Sequence, residues 1–88
     1  MLIRQLEVQN ELGLHARAAS RIVRETRKFH SSVIIRKEGR AYDLRSVTAV
    51  ITVNGKHGDI LTAEFDGDDE EATAEAFEAL FQNKFGEK

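Results

Sequence analysis

The sequence predicts an α+β fold in which helices cover one face of a mainly antiparallel sheet. Two observations favour this class: short β-rich runs alternate with runs of helical periodicity, and turn residues separate them. The predicted order is strand, helix, two strands, a segment that composition leaves ambiguous, strand, helix. With 88 residues, the chain is expected to be a single domain, residues 1–88, with one core.

The first strand is predicted at Leu2–Val8, where Leu6 and Val8 share one face. A turn at Asn10–Gly13 leads into a helix predicted over Ala16–Lys28. The residues of this helix at core-facing spacing are Ala19, Ile22, Val23, Thr26 and Phe29.

A hairpin is predicted next, with strands at Val33–Lys37 and Arg40–Leu44 joined by a turn at Glu38-Gly39. Ser46 is a candidate helix cap. The following segment, Val47–Val53, is ambiguous by composition, because its β-branched residues favour a strand.

The last strand is predicted at Ile60–Phe65, after a turn at 54–59 in which Asp59 caps or polarises the backbone. Asp68 and Glu71 have the spacing of a capping box, which predicts a final helix ending near Lys84. The residues expected to face inward from this helix are Thr73, Phe77, Leu80, Phe81 and Phe85.

Charge is unevenly distributed along the chain, although the net charge is only −2. Nine basic and three acidic residues lie in 16–45, whereas ten acidic and two basic residues lie in 59–88. The first helix carries a basic ridge, which either solvates that face or docks an acidic partner. The ridge consists of Arg17, Arg21, Arg24 and Lys28. Without interleaved aromatic residues or a nucleic-acid motif, binding to nucleic acid is not expected.

The composition indicates a cytoplasmic protein, which we expect to be a monomer. Cysteine is absent, and no apolar run is long enough to span a bilayer or serve as a signal peptide. His15, His30 and His57 do not have metal-ligand spacing, so no metal is expected.

His15 is the candidate reactive residue. It precedes the first helix, whose N-terminal amides and dipole favour an anion such as phosphate. A neutral imidazole nitrogen is a nucleophile that can accept a phosphoryl group, with Arg17 placed to stabilise the charge. From these residues alone, a turn histidine without such a role remains the alternative.

Several short segments together resemble one known family. They are Gly13-Leu14-His15-Ala16-Arg17, Ser46, Lys56-x-Gly58-Asp59, and Gly67 before an acidic helix start. The chain resembles the histidine-containing phosphocarrier (HPr) family of the phosphoenolpyruvate-dependent phosphotransferase system over nearly its whole length.

The resemblance implies an open-faced β-sandwich, a four-stranded antiparallel sheet with three helices on one face (βαββαβα), and so a short helix at Val47–Val53. It implies that Enzyme I phosphorylates His15 and that an enzyme II A domain or a regulatory target receives the phosphoryl group. The protein would be a carrier rather than an enzyme, without a cofactor. Phosphate would be held by Arg17 and by the backbone amides of Ala16, Arg17 and Ala18.

The resemblance also implies two further sites. Ser46 stands where the family has its regulatory serine, so an HPr kinase/phosphorylase is a candidate partner, although a helix cap alone accounts for a serine there. The docking patch expected from the family and the basic ridge consists of Leu14, Arg21, Arg24, Val47, Thr48, Val50 and Ile51.

Two positions depart from the family pattern. Ala18 replaces a proline and Thr48 replaces a large apolar residue. Alanine keeps a helix-compatible backbone, so transfer is expected to survive, whereas Thr48 bears on docking. These departures leave open a second class, a regulatory binding protein of the same fold that no longer carries phosphate on histidine.

Overall fold

The computed structural model describes residues 1–87. Within them, four strands and three α-helices follow the predicted order. The strands are β1 (Leu2–Glu7), β2 (Ser32–Lys37), β3 (Arg40–Asp43) and β4 (Ile60–Asp66). The helices are α1 (Ala16–Thr26), α2 (Val47–Val53) and α3 (Glu70–Gln82), followed by a 3₁₀ turn at Lys84–Gly86. No helix in this part of the chain has the length and apolar composition needed to cross a bilayer.

The four strands form one antiparallel sheet in the order β1-β4-β2-β3. In β4, Phe65 lies opposite Leu2 of β1 on one side and Val33 of β2 on the other. Ile35 of β2 pairs with Tyr42 of β3. The sheet therefore brings the first and last strands of the chain together at one edge.

The core lies on one face of this sheet. In β4, Leu61, Ala63 and Phe65 are buried, whereas Thr62 and Glu64 between them are partly exposed. This alternation is that of a strand with one covered and one open face. The three helices pack on the covered face, which confirms the predicted open-faced architecture.

Helix α1 is shorter than predicted, because it ends at Thr26 rather than near Lys28. The Thr26 hydroxyl donates to the Val23 carbonyl over 2.6 Å, and the Lys28 amide then bonds to Glu25 rather than to a residue four positions back. Such tightened bonding is common where a helix ends. Phe29 lies outside the helix and is half-buried, so its assignment to the helical stripe was wrong.

Helix α2 forms despite its β-branched composition. The Ser46 hydroxyl accepts the Ala49 amide over 3.2 Å, as predicted for a cap. Val50 and Val53 are buried against the core, and Asn54 closes the helix in the left-handed conformation. Capping and burial thus override the strand preference of the sequence.

The predicted capping box of Asp68 and Glu71 is wrong. The residue that begins α3 is Asp69, and its carboxylate does not cap the helix. It accepts the amides of His30 and Ser31 over 2.8 and 2.9 Å, and also the Ser31 hydroxyl. These bonds, that of the Ser31 hydroxyl above all, lower the pKa of Asp69 to about 2.

Helix α3 ends at Gln82, two residues before the predicted end at Lys84. Lys84, Phe85 and Gly86 all have positive φ, at 54°, 55° and 77°. Phe85 is nevertheless fully buried, and its ring centroid lies 4.8 Å from that of Phe81 in an edge-on contact. The inward orientation expected for Phe85 is confirmed, although the residue reaches the core from a turn.

Candidate functional site

His15 is the residue that begins α1. Its backbone is extended, with φ −84° and ψ −176°, and its carbonyl accepts the first helical bond from Ala19 over 2.8 Å. The ring nitrogen Nδ1 accepts the Arg17 amide over 3.2 Å. A nitrogen that accepts this bond carries a lone pair, so the hydrogen-bond geometry fits the tautomer with its proton on Nε2. The side chain is 27% exposed and therefore reaches solvent.

The other ring nitrogen faces a carboxylate from the far end of the chain. Nε2 of His15 lies 3.0 Å from both Oε1 and Oε2 of Glu87. The Asn10 amide Nδ2 donates to Glu87 Oε1 over 3.0 Å and to the Gly13 carbonyl over 2.8 Å. The side chain of Glu87 is only 9% exposed. The β1–α1 turn and the C-terminal segment therefore orient the ring together.

The environment keeps Glu87 ionised. Burial raises the pKa of this carboxyl, but the hydrogen bonds from His15 and Asn10, together with the charge of Arg17, outweigh that effect. The pKa of Glu87 is therefore below its usual value.

Two arginines border a shallow cleft beside His15. The cleft has a volume of about 430 Å³, and Arg17 and Arg21 form part of its wall with Gly86 and Glu87. Within residues 1–87, neither guanidinium has a carboxylate oxygen within 4.0 Å. Their charge is therefore available to an anion that enters the cleft.

The first turn of α1 offers the predicted backbone donors. The amides of Ala16 and Ala18 have no backbone acceptor within the described residues, whereas that of Arg17 bonds to the His15 ring. Ala18 lies in the first turn of α1, and its side chain is fully buried in the core.

The predicted docking patch is only partly at the surface. Leu14 and Val50 are buried, so their assignment to a docking surface was wrong. Leu14 packs against Gly55, where an added Cβ would lie 2.8 Å from Leu14 Cδ1. The patch members that are exposed, called the docking patch below, are Arg21, Arg24, Val47, Thr48 and Ile51.

One cluster outside this site has atoms of the kind that bind metals. Single ligand atoms of His30, Asp68 and Asp69 lie within 4.8 Å of one another. His30 and Asp68 are strongly exposed, and the Asp69 oxygens already accept the bonds at the start of α3. This arrangement carries no metal assignment. His57 is exposed in the turn after α2.

Asp59 polarises its turn as predicted. Its carboxylate accepts the Lys56 amide over 2.9 Å and lies 3.6 Å from the Lys37 ammonium. The Lys56 amide and the Lys37 charge together lower its pKa, against the opposing effect of burial.

Sequence reasoning identified His15, Arg17 and the helix start, and the structure brings them together. It missed Glu87 and Asn10. Glu87 is 72 positions from His15, and no local pattern in the sequence places one beside the other. Asn10 was part of the predicted turn, but the local sequence did not indicate its hydrogen bond to Glu87.

Comparison with known proteins agrees with this geometry. A family model described as "PTS HPr component phosphorylation site" matches residues 3–83. Phosphocarrier protein HPr of Xylella fastidiosa (strain Temecula1) is 36% identical over 87 residues, which cover 99% of this chain and 98% of that protein.

Solved structures show the same fold. A crystal structure of HPr-C-His from Thermoanaerobacter tengcongensis superposes with a TM-score of 0.93 at 31% identity, covering 100% of this chain and 99% of that one. A second structure from that organism, described as an HPr dimer, has a TM-score of 0.77 at 32% identity and covers 93% and 94% of the two chains. The chain therefore belongs to the HPr family of the phosphotransferase system, whose members are phosphocarrier proteins rather than catalysts.

Proposed function

We propose that this protein accepts a phosphoryl group on His15 from phospho-Enzyme I, with phosphoenolpyruvate as its source. It then passes the group to an enzyme II A domain or to a regulatory target in the cytoplasm. The observation that carries the proposal is the orientation of the His15 ring, whose Nδ1 accepts a backbone amide at the start of α1.

Nδ1 is the acceptor atom in this proposal. Its lone pair lies at the positive end of a helix, where a phosphoryl group is favoured. Nε2 is held against the Glu87 carboxylate, which repels an incoming anion. As the nitrogen–phosphorus bond forms, the Arg17 amide loses Nδ1 as its acceptor and becomes free to donate to a phosphoryl oxygen, as are those of Ala16 and Ala18.

Arg17 supplies the positive side chain beside the acceptor. Arg17 borders the cleft, and no carboxylate oxygen among residues 1–87 lies within 4.0 Å of its guanidinium, although its charge lowers the pKa of Glu87. A charged donor in this position stabilises the phosphoryl oxygens without burying them, which suits a group that must leave again.

The docking patch supports an acidic protein as the partner. Val47 and Ile51 are exposed apolar residues on α2, and Arg21 and Arg24 are exposed on the adjacent α1. An apolar centre with basic neighbours suits a partner that presents apolar and acidic side chains. Thr48 is also exposed on α2, and it reduces the apolar character of the docking patch relative to the family pattern.

Ser46 is a candidate site for an HPr kinase/phosphorylase. Its side chain is exposed at the start of α2, beside the docking patch. A phosphate there would add negative charge next to the docking patch and oppose an acidic partner. Incubation with such a kinase and ATP should label the native protein but not Ser46→Ala; equal labelling of both would exclude the site.

The decisive experiment is incubation with phosphoenolpyruvate and the cognate Enzyme I. We expect an acid-labile, base-stable label on the native protein and on His30→Ala, and none on His15→Ala. His30 is the matched control because it is an exposed histidine outside the site. A native protein that binds Enzyme I without acquiring label would instead identify the regulatory binding protein as its class.

A further inference from the structure

We infer that Glu87 is a positioning residue for His15. Its carboxylate selects the Nε2–H tautomer of the His15 ring and stabilises the charge that the ring acquires during transfer. This inference rests on the proposed function and deepens it. It assigns a role to a carboxylate that lies outside the helix start and outside the docking patch.

The contact is built to hold the ring. Both oxygens of Glu87 lie 3.0 Å from Nε2 of His15, in a side chain that is nine-tenths buried. Asn10, which is itself fully buried, donates to the same carboxylate and so helps to fix its position beside the ring. An ionised carboxylate only accepts hydrogen bonds, so it requires the proton on Nε2 and leaves the lone pair on Nδ1.

The segment before Glu87 is fixed in an unusual conformation. Lys84 and Phe85 both have φ near +55°, a left-handed region that L-residues rarely adopt and that strains the backbone. Burial of Phe85 against Phe81 holds this conformation. A Cβ on Gly86 would lie 2.7 Å from the Arg21 guanidinium, so the chain passes close under that side chain. The buried Phe85 therefore fixes the position of the chain that places the Glu87 carboxylate beside the ring.

The chemistry gives this carboxylate a role in transfer. The Nδ1 lone pair of His15 forms the bond to phosphorus, while the bond from phosphorus to the donor atom breaks and its electron pair leaves on the donor. The ring gains one positive charge, and its proton stays on Nε2 against the negative charge of Glu87. When the acceptor takes the phosphoryl group, the ring leaves with its lone pair as neutral imidazole, and the contact is restored.

The first test observes the ring directly in unphosphorylated protein labelled with nitrogen-15 in histidine. Long-range proton–nitrogen correlations are expected to show the Nε2–H tautomer of His15 in the native protein. In Glu87→Gln, Asn10 holds the amide oxygen and the amide NH₂ turns to Nε2, so the Nδ1–H tautomer should increase. Glu75→Gln, an exposed and equal change of charge on α3, should leave the ring spectrum unchanged.

The second test measures the rate of His15 phosphorylation by phosphoramidate, a small donor that needs no docking surface, and by phospho-Enzyme I. We expect Glu87→Gln to be slower by about tenfold to a hundredfold with both donors, the factor that a hydrogen bond to a charged group supports. Glu87→Asp keeps the charge but shortens its reach, and it should also be slower. Thermal unfolding of each variant identifies any that fails to fold.

An unchanged ring spectrum in Glu87→Gln, or an unchanged rate with phosphoramidate, overturns the inference. Failure of the proposed function has a different signature: the native protein then takes no label from phospho-Enzyme I. The ring spectra and the phosphoramidate rates decide the role of Glu87 in that case as well.

Discussion

At the scale of single residues, the two nitrogens of His15 face groups of opposite character. Nδ1 faces an amide and Nε2 faces a carboxylate, so the ring has one nucleophilic nitrogen, oriented toward the helix start. These two contacts explain why one particular nitrogen of the imidazole is available to react. They depend on residues from both ends of the chain.

Arg17→Ala should slow phosphoryl uptake from phospho-Enzyme I by about tenfold to a hundredfold, since it removes a charged donor from the phosphoryl oxygens. The backbone amide of residue 17 remains, so some uptake persists. Rates of label incorporation check this, with Arg27→Ala as the control because Arg27 is exposed at the other end of α1. Equal rates for both variants would contradict the role of Arg17.

Asp69 gives the fold an acid-sensitive contribution to stability. Its folded pKa of about 2 is below the unperturbed value of 3.8, so its stabilisation is fully present above pH 3.8 and is lost as the pH falls through about 2. Asp69→Asn should therefore be less stable near neutrality, and its unfolding midpoint should change less between pH 4 and pH 2. Denaturation as a function of pH measures both effects. Asp68→Asn, whose carboxylate is 80% exposed, should follow the native curve.

Local sequence was enough to select candidate residues whose contacts are with near neighbours. His15 and Arg17 are two positions apart at a recognisable helix start, and the cap at Ser46 lies beside its helix. Glu87 escaped prediction because its contact requires the whole fold to close. The contacts of Asp69 could not be predicted, because nothing in the sequence shows that Ser31 lies opposite it.

At the scale of elements, α2 exists because its ends and its buried face are specified. Ser46→Ala removes the acceptor for the Ala49 amide and should destabilise the protein by about 1 kcal/mol. Ser46→Asn keeps an acceptor at the cap and should lose much less. Chemical denaturation of the native protein and the two variants measures the free energies of unfolding. Equal losses of stability in both variants would show that the capping hydrogen bond does not account for the loss.

The turn before α1 is held by close contact with the turn after α2. A Cβ on Gly13 would lie 2.4 Å from the Gly55 carbonyl oxygen, and φ at Gly13 is +71°. Gly39→Ala is the matched control, because φ there is +79° and the space around it is open. Both substitutions should cost about 1–3 kcal/mol through backbone strain. Gly13→Ala should cost more in chemical denaturation, and an equal cost would show that the contact yields freely.

The errors at this scale have physical causes. Periodicity extended α1 to Lys28, but it does not register the Thr26 hydroxyl that bonds back to the helix. The same pattern extended α3 to Lys84, because Phe85 has the spacing of the buried stripe although it reaches the core from a left-handed turn. The strands were predicted well, since alternation reports directly on a sheet with one covered face.

At the scale of the whole molecule, the chain is expected to remain a monomer, because its helices already cover one face of the sheet. Light scattering should give the mass of one 9.9 kDa chain, independent of concentration. The dimer described for a relative from Thermoanaerobacter tengcongensis makes this measurement worthwhile. A mass that doubles with concentration would contradict the expectation.

The strand order has a consequence for how the molecule is made. Strand β1 leaves the ribosome first, but β4, with which it pairs, is completed only at Asp66. Until β4 is complete, the nascent chain therefore holds an unpaired strand, and β2–β3 is the hairpin that can form before it. Strand β4 is synthesised last of the four and then pairs with β1 on one side and with β2 on the other.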